Sequence, residues 1–259
     1  MTTAVMRGMT TSMSRPSSER RVRKVVTDRH GGVSSGDFAS FNLADHVGDD
    51  AADVAANRRR LAELIGVDPA RMVYMEQIHS PNVTEVTAEL LDSLDGGPVE
   101  FSDALVTREP GLALVVLTAD CVPVLLSDED AGVVAAVHAG RMGARNGVVP
   151  ATVEAMVGLG AVPARIHALI GAAAAGEDYE VPEEMARDVE ERLPGSRTTT
   201  ARGTPGLDIR AGVTRQLLAA GVTAVDADPR STITEENFFS YRREGRTGRQ
   251  ASVVWIADT

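Results

Sequence analysis

Three apolar runs in this chain each stop at a residue able to bind a metal. Within Leu112–Arg145, LALVVLTADCVPVLLSDEDAGVVAAVHAGRMGAR, the run LALVVL leads to Cys121 and GVVAAV leads to His138. Upstream, RMVYMEQIH ends at His79. Short apolar runs bounded by Gly, Pro and Asp read as buried strands. Three soft or borderline ligands therefore sit at or just past the C-terminal ends of three expected strands. If those ends share one sheet edge, the side chains converge on one point. Two imidazoles and a thiolate suit Zn2+, and three protein ligands leave a fourth position for water or substrate. A plainer reading stands beside this one. A lone Cys on a strand is a small buried hydrophobe, and a lone His at a strand end is simply hydrogen-bonded. The spacing matches no short zinc signature, so only the fold can assemble the site.

The chain has 259 residues, enough for one large domain or two small ones. Hydrophobic residues make up 43% and aromatics only 3%, so the core must be Val, Leu, Ile and Ala. The net charge is -11 and the pI about 5.0. Such a surface repels phosphate backbones, which argues against nucleic-acid and anionic-membrane partners. An anionic substrate would need a local cluster of Arg or backbone N–H groups. The single cysteine excludes an internal disulfide and suggests a reducing compartment. No apolar run approaches the roughly 18 residues of a membrane span, and the N-terminus lacks the apolar core of a secretory signal. The cytoplasm is the expected location.

Residues 1–24, polar and rich in Ser and Thr, read as a disordered arm before one domain over 25–259. Next comes RHGGVSSGDF, a Gly/Ser loop headed by Arg29. It reads either as a connecting turn or as an anion cradle, in which N–H groups around Gly31 and Gly32 approach an oxyanion and Arg29 adds charge. Asp49 and Asp50 can cap a helix that starts near Ala51 and is ended by Gly66. Val54, Leu61, Leu64 and Ile65 form its expected apolar face, and Arg58, Arg59 and Arg60 a solvated one. In the strand expected over RMVYMEQIH, Gln77 and His79 alternate with Ile78 and share a face. That places Gln77 beside the metal ligands; an ordinary exposed residue is the alternative. Asp103 reads as a buried turn residue. Asp120 would point away from Cys121 in a regular strand, and either anchors the backbone or orients an imidazole. His167 reads as a core or edge histidine. Further helices are expected over Gly147–Leu159, after Pro182, and after Asp208, where Ile209, Val213 and Leu217 follow i, i+4, i+8. ASVVWI closes the chain as a strand. Helices and strands alternate, but several strands follow one another directly. The pattern predicts α/β (α+β) with a mixed sheet, not a doubly wound fold.

TADCVPVLL and AAVHAG, with EQIHSPNV upstream, resemble the YfiH/YlmD family, also called the laccase-domain or polyphenol oxidase family and, more recently, a purine nucleoside phosphorylase family. The resemblance continues through DRHGGVSSGDFASFNLADHVGDD, SDALVT and FFSYRREGRTGR, and covers Val25 to Ile256. It implies a single-domain layered sandwich, with mixed β-sheets inside and helices outside. It implies metal ligands and catalytic residues at His79, Cys121 and His138. Substrate or phosphate contacts are implied at Arg29, Gly31, Gly32, Asn42, Gln77, Asp120 and Arg145. The implied metal is Zn2+, with copper able to take the same site. The implied partners are purine nucleosides and phosphate, and the sequence sets no oligomeric state. The implied reactions are phosphorolysis of adenosine, inosine, guanosine or methylthioadenosine to free base and ribose 1-phosphate, and deamination of adenosine.

Three other chemistries can be weighed on the residues. A multicopper laccase needs far more imidazoles than the five present, which allow at most one improvised copper site. A cysteine hydrolase would use Cys121 as nucleophile with His138 or His79 as base. A structural zinc normally has four ligands, not three. The chain also departs from the family's common pattern. After HAG the family continues Trp-Arg-Gly, where this chain has Arg141, Met142 and Gly143. The pattern Gly-Pro-x-x-Gly-x-Cys-Tyr-Glu-Val becomes GAAAAGEDYEV, keeping Tyr179 and Glu180, and Cys-Thr becomes Ser231-Thr232.

Overall fold

The computed structural model describes residues 4–6, 9–11 and 22–257. In chain order the strands are β1 (Ala4–Met6), β2 (Met9–Thr11), β3 (Val22–Thr27), β4 (Met72–Val73), β5 (Val83–Glu85), β6 (Ala104–Thr107), β7 (Ala113–Thr118), β8 (Val122–Asp128), β9 (Val133–Ala139), β10 (His167–Ile170), β11 (Arg197–Thr199), β12 (Pro205–Leu207), β13 (Ala224–Ala227) and β14 (Gln250–Ile256). The helices are α1 (Ala51–Ile65), α2 (Ala88–Ser93), α3 (Arg141–Arg145), α4 (Val148–Gly158), α5 (Glu183–Arg192), α6 (Ile209–Ala219) and α7 (Tyr241–Glu244). Most of the arm expected over 1–24 lies outside the described residues. Its described parts are β1 and β2, which pair with each other and then with β3, and residues 22–24, which open β3 itself instead of belonging to an arm.

Two mixed six-stranded sheets carry the fold, ordered β1-β2-β3-β14-β7-β4 and β13-β10-β8-β9-β6-β5. A short ribbon pairs β11 with β12. Side-chain alternation sets the layers. Val115 and Leu117 of β7, with Val253 and Trp255 of β14, pack on Leu61 and Ala62 of α1. Their neighbours Leu114, Val116, Val254 and Ile256 point the other way, into a layer shared with Leu125 of β8 and with Val134 and Ala136 of β9. The outer face of the second sheet buries Val124 and Leu126 of β8 with Ala135 and Val137 of β9. It is covered by Val149 and Met156 of α4 and by Val213 and Leu217 of α6. The order is helix, sheet, sheet, helix: the mixed α/β sandwich expected. Leu114 is fully buried between the sheets, and truncating such a residue to Ala costs about 2–5 kcal/mol.

Local chemistry explains the helices. Asp50 caps α1 by accepting from Ala52 N, and Gly66 ends it at φ 71, a left-handed conformation suited to Gly. Asp208 caps α6 by accepting from Ala211 N, and Ile209, Val213 and Leu217 are buried as the spacing predicts. Two expectations for α1 are corrected. Leu64 is exposed, and Arg58 is not merely solvated. It donates to Leu43 O, pairs with Asp45, and lies over the Tyr74 ring. Among the described residues no helix is long and apolar enough to cross a membrane.

The crossing between the sheets positions the site. β7 belongs to the first sheet and β8 to the second, so the chain bends across the open end of the sandwich at Ala119–Cys121. The strand expected over RMVYMEQIH is shorter than predicted. Met72 and Val73 pair with β7, Met75 bridges Val99, and the backbone then leaves extended geometry, with φ 56 at Gln77 and 61 at His79.

Candidate metal centre

His79, Cys121 and His138 meet at that end of the sandwich. One ligand atom from each lies within 4.8 Å of the others. The imidazoles of His79 and His138 are edge to face, with centroids 4.8 Å apart. Each side chain arrives by a different route: His79 from the loop after β4, Cys121 from the bend between the sheets, His138 from the end of β9. His138 shares the inward parity of Val134 and Ala136, so its ring faces the layer between the sheets. A nearby glycine completes the cluster. A Cβ on Gly140 would stand 2.4 Å from His79 Nδ1 and 3.3 Å from Cys121 Sγ.

Asp103 ties the two histidines together. It sits one residue before β6, across from the end of β9. Its Oδ1 accepts from His138 Nδ1 at 2.8 Å and from His79 N at 2.9 Å. Its Oδ2 accepts from Ser80 N and Ser80 Oγ, and its carbonyl accepts from His138 N. With Nδ1 committed to Asp103, the His138 ring presents Nε2 to Cys121, the arrangement that fixes a ligating tautomer. The sequence alone predicts a turn residue at Asp103; the pairing of β6 with β9 makes it the hub of the cluster.

The charges follow from this geometry. Burial disfavours a charged His138, but the Cys121 sulfur and the Asp103 carboxylate outweigh it and push its pKa up to about 9. Burial, then the positive charge of His138, holds His79 below the ordinary histidine value, and Arg141 acts in the same direction. Burial also works to raise the Asp103 pKa, yet hydrogen bonds from His138 and Ser80 prevail and keep it low. The geometry thus disfavours the charged form of His79 and favours that of His138.

The other residues implied by the resemblance fall at varying distances from this point. Asp120 adjoins Cys121 at φ 99 and anchors the bend. Its Oδ1 accepts from Thr232 Oγ1, its Oδ2 from Arg242 N, and its carbonyl from Ala174 N. Of the two roles offered for Asp120, the structure shows the anchor. Gln77 does not reach the cluster by strand alternation, because the strand has already ended. Its amide donates to Leu117 O and accepts from Leu117 N, which pins the His79 loop to β7. Arg29 donates to Ala39 O, pairs with Glu244 at 2.7 Å, and lies over Phe239. Gly31 has φ 93. Gly32 packs against Ser40 O, where a Cβ would come to 2.2 Å, and its N–H donates to Ser40 Oγ. Asn42 is fully buried, bonded to Ala44, Asp49 and the Arg249 backbone. Arg145 forms a two-point pair with Asp188 on α5.

Two arginines outside that set act on the cluster electrostatically. Arg141 lies within electrostatic reach of His79. Arg249 lies within reach of Cys121 and Asp120, and burial holds its pKa below the usual guanidinium value. Two of the chain's departures from the family pattern also prove to be one feature. Ser231 Oγ donates to Asp178 Oδ2 at 2.6 Å, so two positions at which the chain departs from the expected pattern bond to each other.

A two-sheet α/β sandwich with a His–Cys–His cluster at the sheet crossing defines a class of protein with a candidate metal site. The chain belongs to the YfiH/YlmD family: the family model described as multi-copper polyphenol oxidoreductase laccase matches residues 23–257. A purine nucleoside phosphorylase of Corynebacterium glutamicum is 65% identical over 237 residues, covering 92% of this chain and 95% of that protein. A purine nucleoside phosphorylase of Mycobacterium tuberculosis is 52% identical over 236 residues, covering 91% and 92%. Among solved structures, YlmD from Geobacillus stearothermophilus superposes with a TM-score of 0.88 at 33% identity, covering 98% of each chain. YfiH from Bacillus licheniformis gives 0.88 at 28% identity, covering 97% of each.

Proposed function

We propose that this chain is a zinc-dependent purine nucleoside phosphorylase that also deaminates adenosine. The observation that carries the reading is the convergence of His79, Cys121 and His138 on one point, in a chain 65% identical to a protein named purine nucleoside phosphorylase. The donor set fits the metal. Two imidazoles and one sulfur are borderline-soft ligands, three in number, which leaves one position open. A zinc ion held there supplies Lewis acidity to an oxygen of the substrate or of water. The chain's own residues do the rest. Asp103 holds the His138 tautomer and the His79 backbone. Asp120 fixes the bend that presents Cys121. Arg141 and Arg249 put positive charge beside the cluster in a protein that is otherwise acidic. Arg29 joins them as a phosphate ligand by exchanging its Glu244 partner for phosphate. A sulfur ligand survives best in a reducing compartment, consistent with the cytoplasm.

The oxidase name of the family model fits less well. The sequence holds five histidines, and among the described residues only His79, Cys121 and His138 gather into a metal-competent group of this kind. That set offers one copper site, not a multicopper cluster.

One observation favours a second reading. Cys121, His138 and Asp103 stand in the order of nucleophile, base and orienting carboxylate, the logic of a cysteine hydrolase. Metal loading separates the two, because a metal-bound sulfur is withdrawn from attack.

The deciding experiment uses copper-free, zinc-loaded enzyme with adenosine and inosine, with and without phosphate. Release of free base that depends on phosphate, and of ammonia that does not, is expected. Absence of both, with phenol oxidation by copper-loaded enzyme at about 1 per second or faster, would overturn the reading.

A further inference from the structure

We infer that Tyr241 is the platform on which the purine base stacks, with Phe101 supplying a second ring from the His79 side. The inference rests on the nucleoside reading above. It starts from scarcity. The chain has five Phe, three Tyr and one Trp. Phe38, Phe41, Phe238, Phe239 and Trp255 are buried. Tyr74 and Tyr179 are half-buried, each beneath an arginine. Only Phe101 and Tyr241 are exposed, at 62% and 60%. Aromatic rings carry the largest gain from burial of any side chain, so two left in solvent by an aromatic-poor chain call for a reason.

Both stand on backbone tied to segments that border the cluster. Tyr241 precedes Arg242, whose backbone N–H donates at 2.6 Å to Oδ2 of Asp120, the residue before Cys121. The Tyr241 ring centre is 5.8 Å from Arg249 Cζ, and that guanidinium is within electrostatic reach of Cys121. Phe101 is two residues from Asp103, the hub of the histidines. Its N–H donates to Glu76 Oε2, and its carbonyl accepts from Asn82 Nδ2. These bonds hold Phe101 at φ 50, a left-handed conformation costly for a bulky residue. The backbone is thus constrained while the ring stays in water.

A purine offers two wide, flat π faces and few apolar edges. An exposed ring carried on backbone that borders the cluster matches that shape, and stacking demands no particular hydrogen-bond pattern. A site built this way accepts adenine, hypoxanthine and guanine alike and holds the smaller pyrimidine rings less well.

The test uses the full-length, zinc-loaded protein and its Tyr241→Ala, Tyr241→Phe and Phe101→Ala variants. Equilibrium binding of inosine and of uridine is measured by calorimetry without phosphate. KM and kcat for inosine, KM for phosphate, and metal content are measured beside it. Tyr241→Ala is expected to weaken inosine binding and raise its KM by roughly 5- to 150-fold, with phosphate KM and metal content unchanged. Tyr241→Phe is expected to restore both, and Phe101→Ala to give a smaller loss of the same kind. Inosine binding left intact in Tyr241→Ala, or a Tyr241→Phe variant as weak as Tyr241→Ala, overturns the inference. If the wild type binds inosine without turning it over, the phosphorylase reading fails while the stacking role is still decided by the binding arm. If the wild type binds no inosine, both fall.

Discussion

Asp103 Oδ1 accepts from His138 Nδ1 at 2.8 Å and from the backbone N–H of His79 at 2.9 Å. One buried carboxylate therefore sets the ring of one metal ligand and the main chain of another. Asp103→Asn keeps the volume but turns an amide N–H toward donors, either at His138 or at Ser80. Metal affinity is expected to fall by about 10- to 100-fold. Competition against a chelator of known affinity measures this. Unchanged affinity would mean that the contact to His138 does not orient the ligand.

Gly140 gives a second, steric test of the same centre. A Cβ at this position would stand 2.4 Å from His79 Nδ1 and 2.9 Å from Cε1. Gly140→Ala must displace the imidazole, so metal occupancy should drop several-fold. The backbone there is extended, with φ -66 and ψ 164, so the fold itself should lose at most about 1 kcal/mol. Occupancy by metal analysis and stability by urea titration separate the two effects. A variant that keeps its metal while unfolding early would show that Gly140 serves packing alone.

Cys121→Ala should abolish stoichiometric metal binding while the protein stays folded. The side chain is only half-buried in the bend, so its loss should cost no more than about 1–2 kcal/mol. Full occupancy in this variant would remove Cys121 from the ligand set.

The parts of this design that are legible in the sequence are those set by local chemistry. The caps at Asp50 and Asp208 and the spacing of Ile209, Val213 and Leu217 announce α1 and α6 directly. The runs ending near Cys121 and His138 announce strands, but β7 and β9 are buried on both faces, so no alternation reveals which side faces which layer. The break after Met75 is not visible. Gln77 and His79 have left-handed φ values, and nothing in RMVYMEQIH signals them. The weight of Asp103 is hidden for a related reason. Its role depends on the pairing of β6 with β9, which joins residues 35 positions apart. Asp178 and Ser231 lie far apart in the sequence, and only the fold brings them into contact.

That contact supplies a fourth prediction. Ser231 Oγ donates to Asp178 Oδ2 at 2.6 Å and accepts from Ala175 N, so it ties the loop after β10 to the segment that carries Thr232. Thr232 in turn holds Asp120. Asp178→Ala and Ser231→Ala should each destabilise by about 1 kcal/mol. The double variant should be less destabilised than the sum, with a coupling of about 0.5 kcal/mol or more. Strict additivity in urea denaturation would show the pair to be unconnected in energy.

Asp128 sets the acid limit of the second sheet. It ends β8, is fully buried, and accepts from the N–H groups of Asp130, Ala131 and Val162 and from Arg165 Nε. Burial alone would raise its pKa, but these donors prevail and hold it below the usual carboxylate value. A folded-state pKa below the unfolded one means that the unfolded chain takes up the proton first. The stabilisation is therefore complete above the unfolded value of about 3.9 and is lost as pH falls through the lower folded value. Asp128→Asn replaces one accepting oxygen by a donor facing N–H groups, and should cost about 2–3 kcal/mol at neutral pH. The gap between wild type and variant should stay constant from neutral pH down to about pH 5 and narrow below about pH 4. Urea titrations of both proteins across that range measure it. A gap that does not narrow in acid would show that the charge of Asp128 contributes nothing, and that only its shape and lone pairs hold the turn.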